Sequence, residues 1–208
     1  MFESYDSYVP PFYKGKALVP TQGTFKVVAM PNILLEGEKI NPSNLAYTWI
    51  KDGSVVSSAS GWGKNYFIFQ NSYLDKGNVI EVRVSDIMGG INASKRMNLK
   101  TANPKILFYR NDPTFGIMTE KSLNNGFSVN KDGDTIIAEP YFFSPKDLGS
   151  SNLTFDWFLS GEKIKTLDIK NRLSIKPEGE SGNGVIKVMI NNIGTLFQSV
   201  EKQINVSF

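Results

Sequence analysis

The chain has 208 residues, 40% hydrophobic and 21% charged with a net charge of +3, enough apolar content for one large domain or two of about 100 residues. It contains neither cysteine nor histidine, which excludes disulfides, thiolate and imidazole metal sites, and every Ser-His-Asp or Cys-His catalytic arrangement. Lys and Arg are scattered singly rather than massed, which argues against a nucleic-acid surface, and no apolar run approaches the roughly 18 residues of a membrane helix.

Along the chain, the first residues Met-Phe-Glu-Ser-Tyr-Asp lack the basic and apolar stretches of a signal peptide. Pro11-Phe12-Tyr13 with Gly15 and Leu18 then resembles Pro113-Thr-Phe115-Gly116 followed by Leu123, the first sign of an internal repeat. Lys26-Val-Val-Ala-Met-Pro-Asn-Ile33 lies over Thr135-Ile-Ile-Ala-Glu-Pro-Tyr-Phe142 at nearly the offset that brings Asn44-Leu-Ala-Tyr-Thr-Trp49 over Asn152-Leu-Thr-Phe-Asp-Trp157. Val79-Ile-Glu-Val-Arg-Val-Ser-Asp86 lies likewise over Val185-Ile-Lys-Val-Met-Ile-Asn-Asn192. The small drift in offset is that of strands held constant while turns vary.

Within each copy the apolar period is two. Phe25, Val27 and Ala29 form one set; Leu45, Tyr47 and Trp49 another; Ile80, Val82 and Val84 a third, each matched in the second copy. Such alternation predicts strands with one buried face. Lys51-Asp52-Gly53 and Leu159-Ser160-Gly161 are turns ending the Trp strands, and Asp75-Lys76-Gly77 and Glu180-Ser181-Gly182 precede the Val strands. No helical stripe interrupts this pattern. The reading is an all-β chain of two tandem immunoglobulin/PKD-like β-sandwiches, residues 1–102 and 103–208, each with about seven strands and a core Trp. The short linker Thr101-Ala-Asn-Pro104 predicts stacked domains.

Trp49-Ile-Lys-Asp52-Gly53 followed by Ile80-Glu-Val-Arg-Val-Ser-Asp86 resembles the bacterial PKD and immunoglobulin-like module. Pro10-Pro-Phe-Tyr-Lys-Gly-Lys-Ala-Leu18, Tyr47-Thr-Trp-Ile-Lys-Asp-Gly53, Pro104-Lys-Ile-Leu-Phe-Tyr109 and Ala138-Glu-Pro-Tyr-Phe-Phe-Ser144 resemble the tandem repeat of uncharacterised exported proteins of small-genome candidate-phyla bacteria. The second copy departs from the module at Phe158-Leu-Ser-Gly161 and Asn191-Asn192. The resemblance covers essentially the whole chain. It implies an extracellular or cell-surface location, and that this chain is an excerpt of a longer protein with an export signal, further modules and an anchor.

Candidate sites are few. Asn130-Lys-Asp132-Gly-Asp134 alternates oxygen side chains as calcium loops do, but the glycine comes too early and no Glu follows at the EF-hand distance. Asp132 and Asp134 are therefore read as a turn, with no metal and no cofactor expected. Trp62, between Gly61 and Gly63 and unmatched in the second copy, is the candidate binding residue: it can stack on a sugar or anchor a partner, or fold back onto its own sheet or the neighbouring domain. The aromatics Phe12-Tyr13 and Tyr141-Phe142-Phe143 are expected to pack on their own repeat. Glu36 with Glu38, and Glu178 with Glu180, are the carboxylate pairs a glycosidase-like enzyme would need, and both read as solvated turns. The expectation is a non-catalytic spacer or adhesion-type module of a bacterial surface protein, with a protein or surface glycan as partner. The alternative is a carbohydrate-binding or accessory module of an exported enzyme.

Overall fold

The computed structural model describes residues 2–35, 37–75, 78–86, 90–124, 126–166 and 169–208. The chain forms two compact all-β units, residues 1–5 with 21–102 and residues 6–20 with 103–208. Among the described residues there is no α-helix; a single 3-10 turn, Pro42–Asn44, is capped by the Asn41 side chain accepting from the Ser43 N–H at 3.0 Å. Among the described residues no helix is long and apolar enough to cross a membrane.

The first unit contains β1 (Phe2–Ser4), β2 (Thr24–Val28), β3 (Leu34–Leu35), β4 (Glu38–Lys39), β5 (Ala46–Lys51), β6 (Ser54–Val55), β7 (Gly61–Trp62), β8 (Tyr66–Gln70), β9 (Asn78–Ser85) and β10 (Asn92–Leu99). One sheet has the order β1-β2-β8. The other runs β10-β9-β5-β6, with β7 on the same edge of β5 as β6, and β3 and β4 make a separate two-stranded ribbon. Trp49 of β5 packs between the sheets, its ring 5.9 Å from Phe67 of β8. Phe25, Val27, Tyr47, Ile80 and Val84 are buried around it, on the faces set by the period-two pattern.

The second unit contains β11 (Lys105–Asp112), β12 (Gly116–Ile117), β13 (Phe127–Ser128), β14 (Asp134–Tyr141), β15 (Leu153–Leu159), β16 (Glu162–Ile164), β17 (Arg172–Ile175), β18 (Asn183–Asn192) and β19 (Ser199–Ser207). Its sheets are β12-β11-β14-β17 and β13-β19-β18-β15-β16, with β13 parallel to β19. Phe108, Ile136, Ala138, Trp157, Ile186, Val188 and Ile190 fill the core between them. In both units the first, second and fifth main strands make one sheet and the third, fourth, sixth and seventh the other, an immunoglobulin-like sandwich without the disulfide of antibody domains.

The two copies use the same turn at the end of the Trp strand despite their different residues. Asp52 and Gly53 have φ of +50° and +86°, and Ser160 and Gly161 have φ of +48° and +94°. Two consecutive left-handed residues make the tight hairpin whose twist suits paired strands, so serine replaces aspartate here without changing register.

The chain departs from a partition at residue 102 in one respect: residues 6–20, expected with the first repeat, belong to the second unit. The cause is aromatic and backbone pairing. Tyr8 donates its N–H to the Phe143 carbonyl at 2.7 Å and accepts from the Phe142 N–H at 2.8 Å. The rings of Phe12 and Tyr109 lie 5.3 Å apart, and those of Tyr13 and Tyr141 5.4 Å, both edge to face. The outward residues Ile137, Glu139 and Tyr141 of β14 are consequently buried as well as the inward ones. Phe115, the proposed counterpart of this aromatic segment, is instead 82% exposed. It sits in a turn whose Thr114 and Phe115 N–H groups donate to the Asp112 carboxylate at 2.8 and 3.0 Å.

Candidate functional site

The Asp132-Asp134 loop is a turn organised by an ion pair. Both oxygens of Asp134 are engaged: Oδ1 by Arg110 Nε at 3.3 Å and Asn130 Nδ2 at 3.2 Å, Oδ2 by the Asn130 N–H at 2.7 Å and Arg110 Nη2 at 3.4 Å. Asp132 is exposed beside it. Gly133 between them has φ of +100°, and a Cβ there would stand 2.8 Å from the Ile175 carbonyl oxygen, so the turn requires glycine. Among the described residues no three His, Cys, Asp or Glu side chains gather as a metal site would need.

The carboxylate pairs are not brought together into a cleft. Glu178 and Glu180 are exposed, as is Glu38, and Glu36 lies outside the described residues. Glu139, a member of neither pair, is buried, 4% exposed. Its Oε2 accepts from the Tyr8 hydroxyl at 3.0 Å. Burial pushes the Glu139 carboxyl up to about 7, with the Tyr8 hydrogen bond pulling the other way. Burial and the neighbouring Glu139 charge also raise the Tyr8 phenol. Beside them Tyr109 and Tyr141 share a hydroxyl–hydroxyl bond of 2.8 Å, and Lys105 Nζ lies 5.2 Å from the centre of the Tyr141 ring. Period-two patterning alone places Glu139 on a solvent face; only the docking of residues 6–20 buries it. The signal in the sequence was the run Tyr141-Phe142-Phe143 after Glu139-Pro140, too apolar for an exposed strand end.

Trp62 stands on the outer face of the five-stranded sheet of the first unit. Strand β7 pairs Trp62 with Ala46 and Gly61 with Tyr47. Gly61 and Gly63, at φ of +136° and +68°, let the chain enter and leave this short edge strand, and the Gly63 N–H donates to the Leu45 carbonyl at 2.9 Å. The preceding turn is tied to the same edge by Ser60 Oγ, which accepts from the Trp49 N–H at 2.9 Å and donates to the Val56 carbonyl at 2.7 Å. Trp62 is 50% exposed, so it does not fold back into the core.

Register defines its neighbours. Trp62, Ala46, Ser85 and Asn92 form one cross-strand row, and Thr48, Arg83 and Ser94 the next row on the same face. Arg83 Nε pairs with Glu81 Oε1 at 2.6 Å, and its side chain is mostly exposed. An indole half open to solvent, on a sheet face that also carries hydroxyl, amide and guanidinium groups, can stack on a ring or anchor a protein partner. The second unit has no Trp on this face and carries Asp156, paired with Lys163 at 2.6 Å, where the first has Thr48.

No protein-family model matches the chain, and no curated protein matches it. Among solved structures it is similar to fibronectin(III)-like modules of Clostridium thermocellum CbhA, at 11% identity and a TM-score of 0.32, covering 99% of this chain and 93% of that one. It is similar also to Sidekick-1 immunoglobulin domains 1–4, at 12% identity and a TM-score of 0.30, covering 98% of this chain and 51% of that one. A third is Bacteroides ovatus SGBP-B of a mixed-linkage glucan utilization locus, in complex with a mixed-linkage heptasaccharide, at 10% identity and a TM-score of 0.25, covering 99% of this chain and 70% of that one.

Proposed function

We propose that this chain is a non-catalytic interaction module, a spacer and adhesive segment of a bacterial surface protein that binds through the outer face of its first sandwich. The observation that carries this reading is Trp62, half exposed on an edge strand and paired with Ala46, on the sheet face that also carries Thr48, Arg83 and Asn92. Large aromatic side chains held in place by sheet pairing, with little freedom to lose on contact, are the usual anchors of interfaces. The segments resembling exported bacterial repeats support a location at the cell surface. A surface glycan is the second reading, favoured by the same indole because sugar rings stack on exposed Trp faces.

The test compares wild-type protein with Trp62→Ala and Trp62→Phe on protein and glycan arrays. Loss of a bound partner by Trp62→Ala, partial recovery by Trp62→Phe and an unchanged melting midpoint support this face. Retention confined to oligosaccharides selects the glycan reading. Identical binding profiles for all three proteins would remove Trp62 from the account.

A further inference from the structure

The outer sheet face that carries Trp62 in the first unit has a counterpart in the second, and the two are furnished differently. Register and repeat set Asp156, Met189 and Glu201 where the first unit has Thr48, Arg83 and Ser94, and Asn191 and Ser199 where it has Ser85 and Asn92. In the second unit these side chains have partners. Asp156 pairs with Lys163 at 2.6 Å, Glu201 with Lys187 at 3.9 Å, and the Ser199 hydroxyl donates to the Asn191 side chain. In the first unit Arg83 Nε is held by Glu81 Oε1 at 2.6 Å. Among the described residues the terminal nitrogens of Arg83 and the hydroxyls of Thr48, Ser85 and Ser94 make no hydrogen bond.

These side chains, with Asn92, line a trough of about 380 Å³ across β5, β9 and β10. Small-ligand sites occupy roughly 300–1,000 Å³, so the trough is of a size to hold one. The charged residues at outward positions of these three strands are Arg83, Arg96 and Glu81, a positive balance. The matching strands of the second unit carry Asp156, Glu201 and Lys187, the opposite sign. Trp62 pairs with Ala46, and Ala46 with Ser85, which puts the indole strand about 10 Å from the middle of the trough at ordinary strand spacing. A ligand that touches both is therefore a chain of linked units rather than a single small ring.

We infer that this face takes an acidic oligosaccharide, with a sugar ring stacked on Trp62 and a uronate carboxylate bound by Arg83. The inference rests on the reading of this face as the binding surface and names its ligand class. A guanidinium matches a planar carboxylate through two parallel N–H bonds. With Nε tied to Glu81, the two terminal nitrogens are the edge left for that contact, and the Glu81 bond fixes the plane in which they lie. Thr48, Ser85 and Ser94 each offer a hydroxyl that donates and accepts, as sugar hydroxyls do. A protein interface is built on an apolar core, whereas these rows set one large apolar side chain among hydrogen-bonding groups, which favours a carbohydrate. A neutral glycan leaves Arg83 without a counter-charge, so the guanidinium selects the acidic class.

The test applies the full chain to oligosaccharides containing glucuronate, galacturonate, mannuronate or guluronate, each beside its carboxyl-reduced neutral counterpart, with sulfated oligosaccharides alongside. At least one uronate oligosaccharide is expected to bind at least about tenfold more tightly than its reduced form. Arg83→Met, which copies the second unit at this position, is expected to bring the acidic form down to the level of the reduced one. Trp62→Ala is expected to weaken both. Equal binding of acidic and reduced forms, a preference for sulfated chains, or an acidic preference that survives Arg83→Met overturns the inference and leaves a Trp62-dependent glycan site standing. Binding of a protein and of no glycan overturns it while keeping the face as an interaction surface; binding that Trp62→Ala never alters removes both readings. The comparison of acidic and reduced forms uses unaltered protein and decides the matter even where a variant fails to fold.

Discussion

The indole N–H of Trp49 donates to the backbone carbonyl of Lys64 at 2.9 Å. Trp157 makes the same bond to Lys170 at 2.9 Å. The next residue completes the motif in each unit: Asn65 and Asn171 accept the Ala29 and Ala138 N–H groups, each at 2.8 Å. Each core Trp therefore fixes the strand entry that pairs with the second strand of its sandwich. Trp49→Phe and Trp157→Phe keep an aromatic ring but remove the indole donor to the Lys64 and Lys170 carbonyls. Each is expected to cost about 2 kcal/mol or more in chemical denaturation, from the lost bond and the smaller ring.

Residues 6–20 make the stability of the second unit depend on pH. The folded Glu139 carboxyl, at about 7, lies above its ordinary value of 4.5. Between these values the folded state holds a proton that the unfolded chain releases, so stability present at pH 5 is lost as the pH rises through 7. The loss approaches about 3 kcal/mol by pH 8. Glu139→Gln keeps an acceptor for Tyr8 and removes the titration. It is expected to match wild type near pH 5 and to melt higher at pH 8, in thermal scans across that range.

The hairpin turns offer a smaller, local check. Gly161 sits at φ of +94° with open space where a Cβ would project, so Gly161→Ala is penalised by conformation alone. A loss of about 1 kcal/mol is expected. Ser160→Asn, a residue better suited to its φ of +48°, is expected to stabilise by a few tenths of a kcal/mol, read from denaturation midpoints.

Asp134 tests whether its loop is a structural turn. Asp134→Ala breaks the Arg110 pair and two bonds from Asn130, with an expected cost of about 1–2 kcal/mol. Because Arg110 and Asn130 already occupy both carboxylate oxygens, millimolar calcium is expected to leave the wild-type melting midpoint unmoved. A calcium-dependent rise that Asp134→Ala abolishes would convert the turn into a metal site.

Much of the architecture was legible from the residues. The period-two sets around Phe25, Trp49 and Ile80, and their copies around Ile136, Trp157 and Ile186, marked strands whose inner faces are buried as expected. What alternation could not tell was where residues 6–20 go. Phe12 and Tyr13 read as packing on their own repeat, whereas the tyrosines and phenylalanines of β11 and β14 take them into the second unit. Glu139 was hidden for the same reason, since a polar residue at an outward strand position reads as solvated until another segment covers it. Trp62 was recognisable from its flanking glycines, but its half-exposed placement follows from the pairing of β7 with β5, which no local pattern encodes.

The proposed role, an interaction module working outside the cell, is checked by protease shaving of intact source cells with mass spectrometry of the released peptides. Peptides from both repeats released before lysis are the predicted result. Peptides from this chain that appear only after lysis would contradict the surface role, leaving the sandwich fold and removing the proposed function.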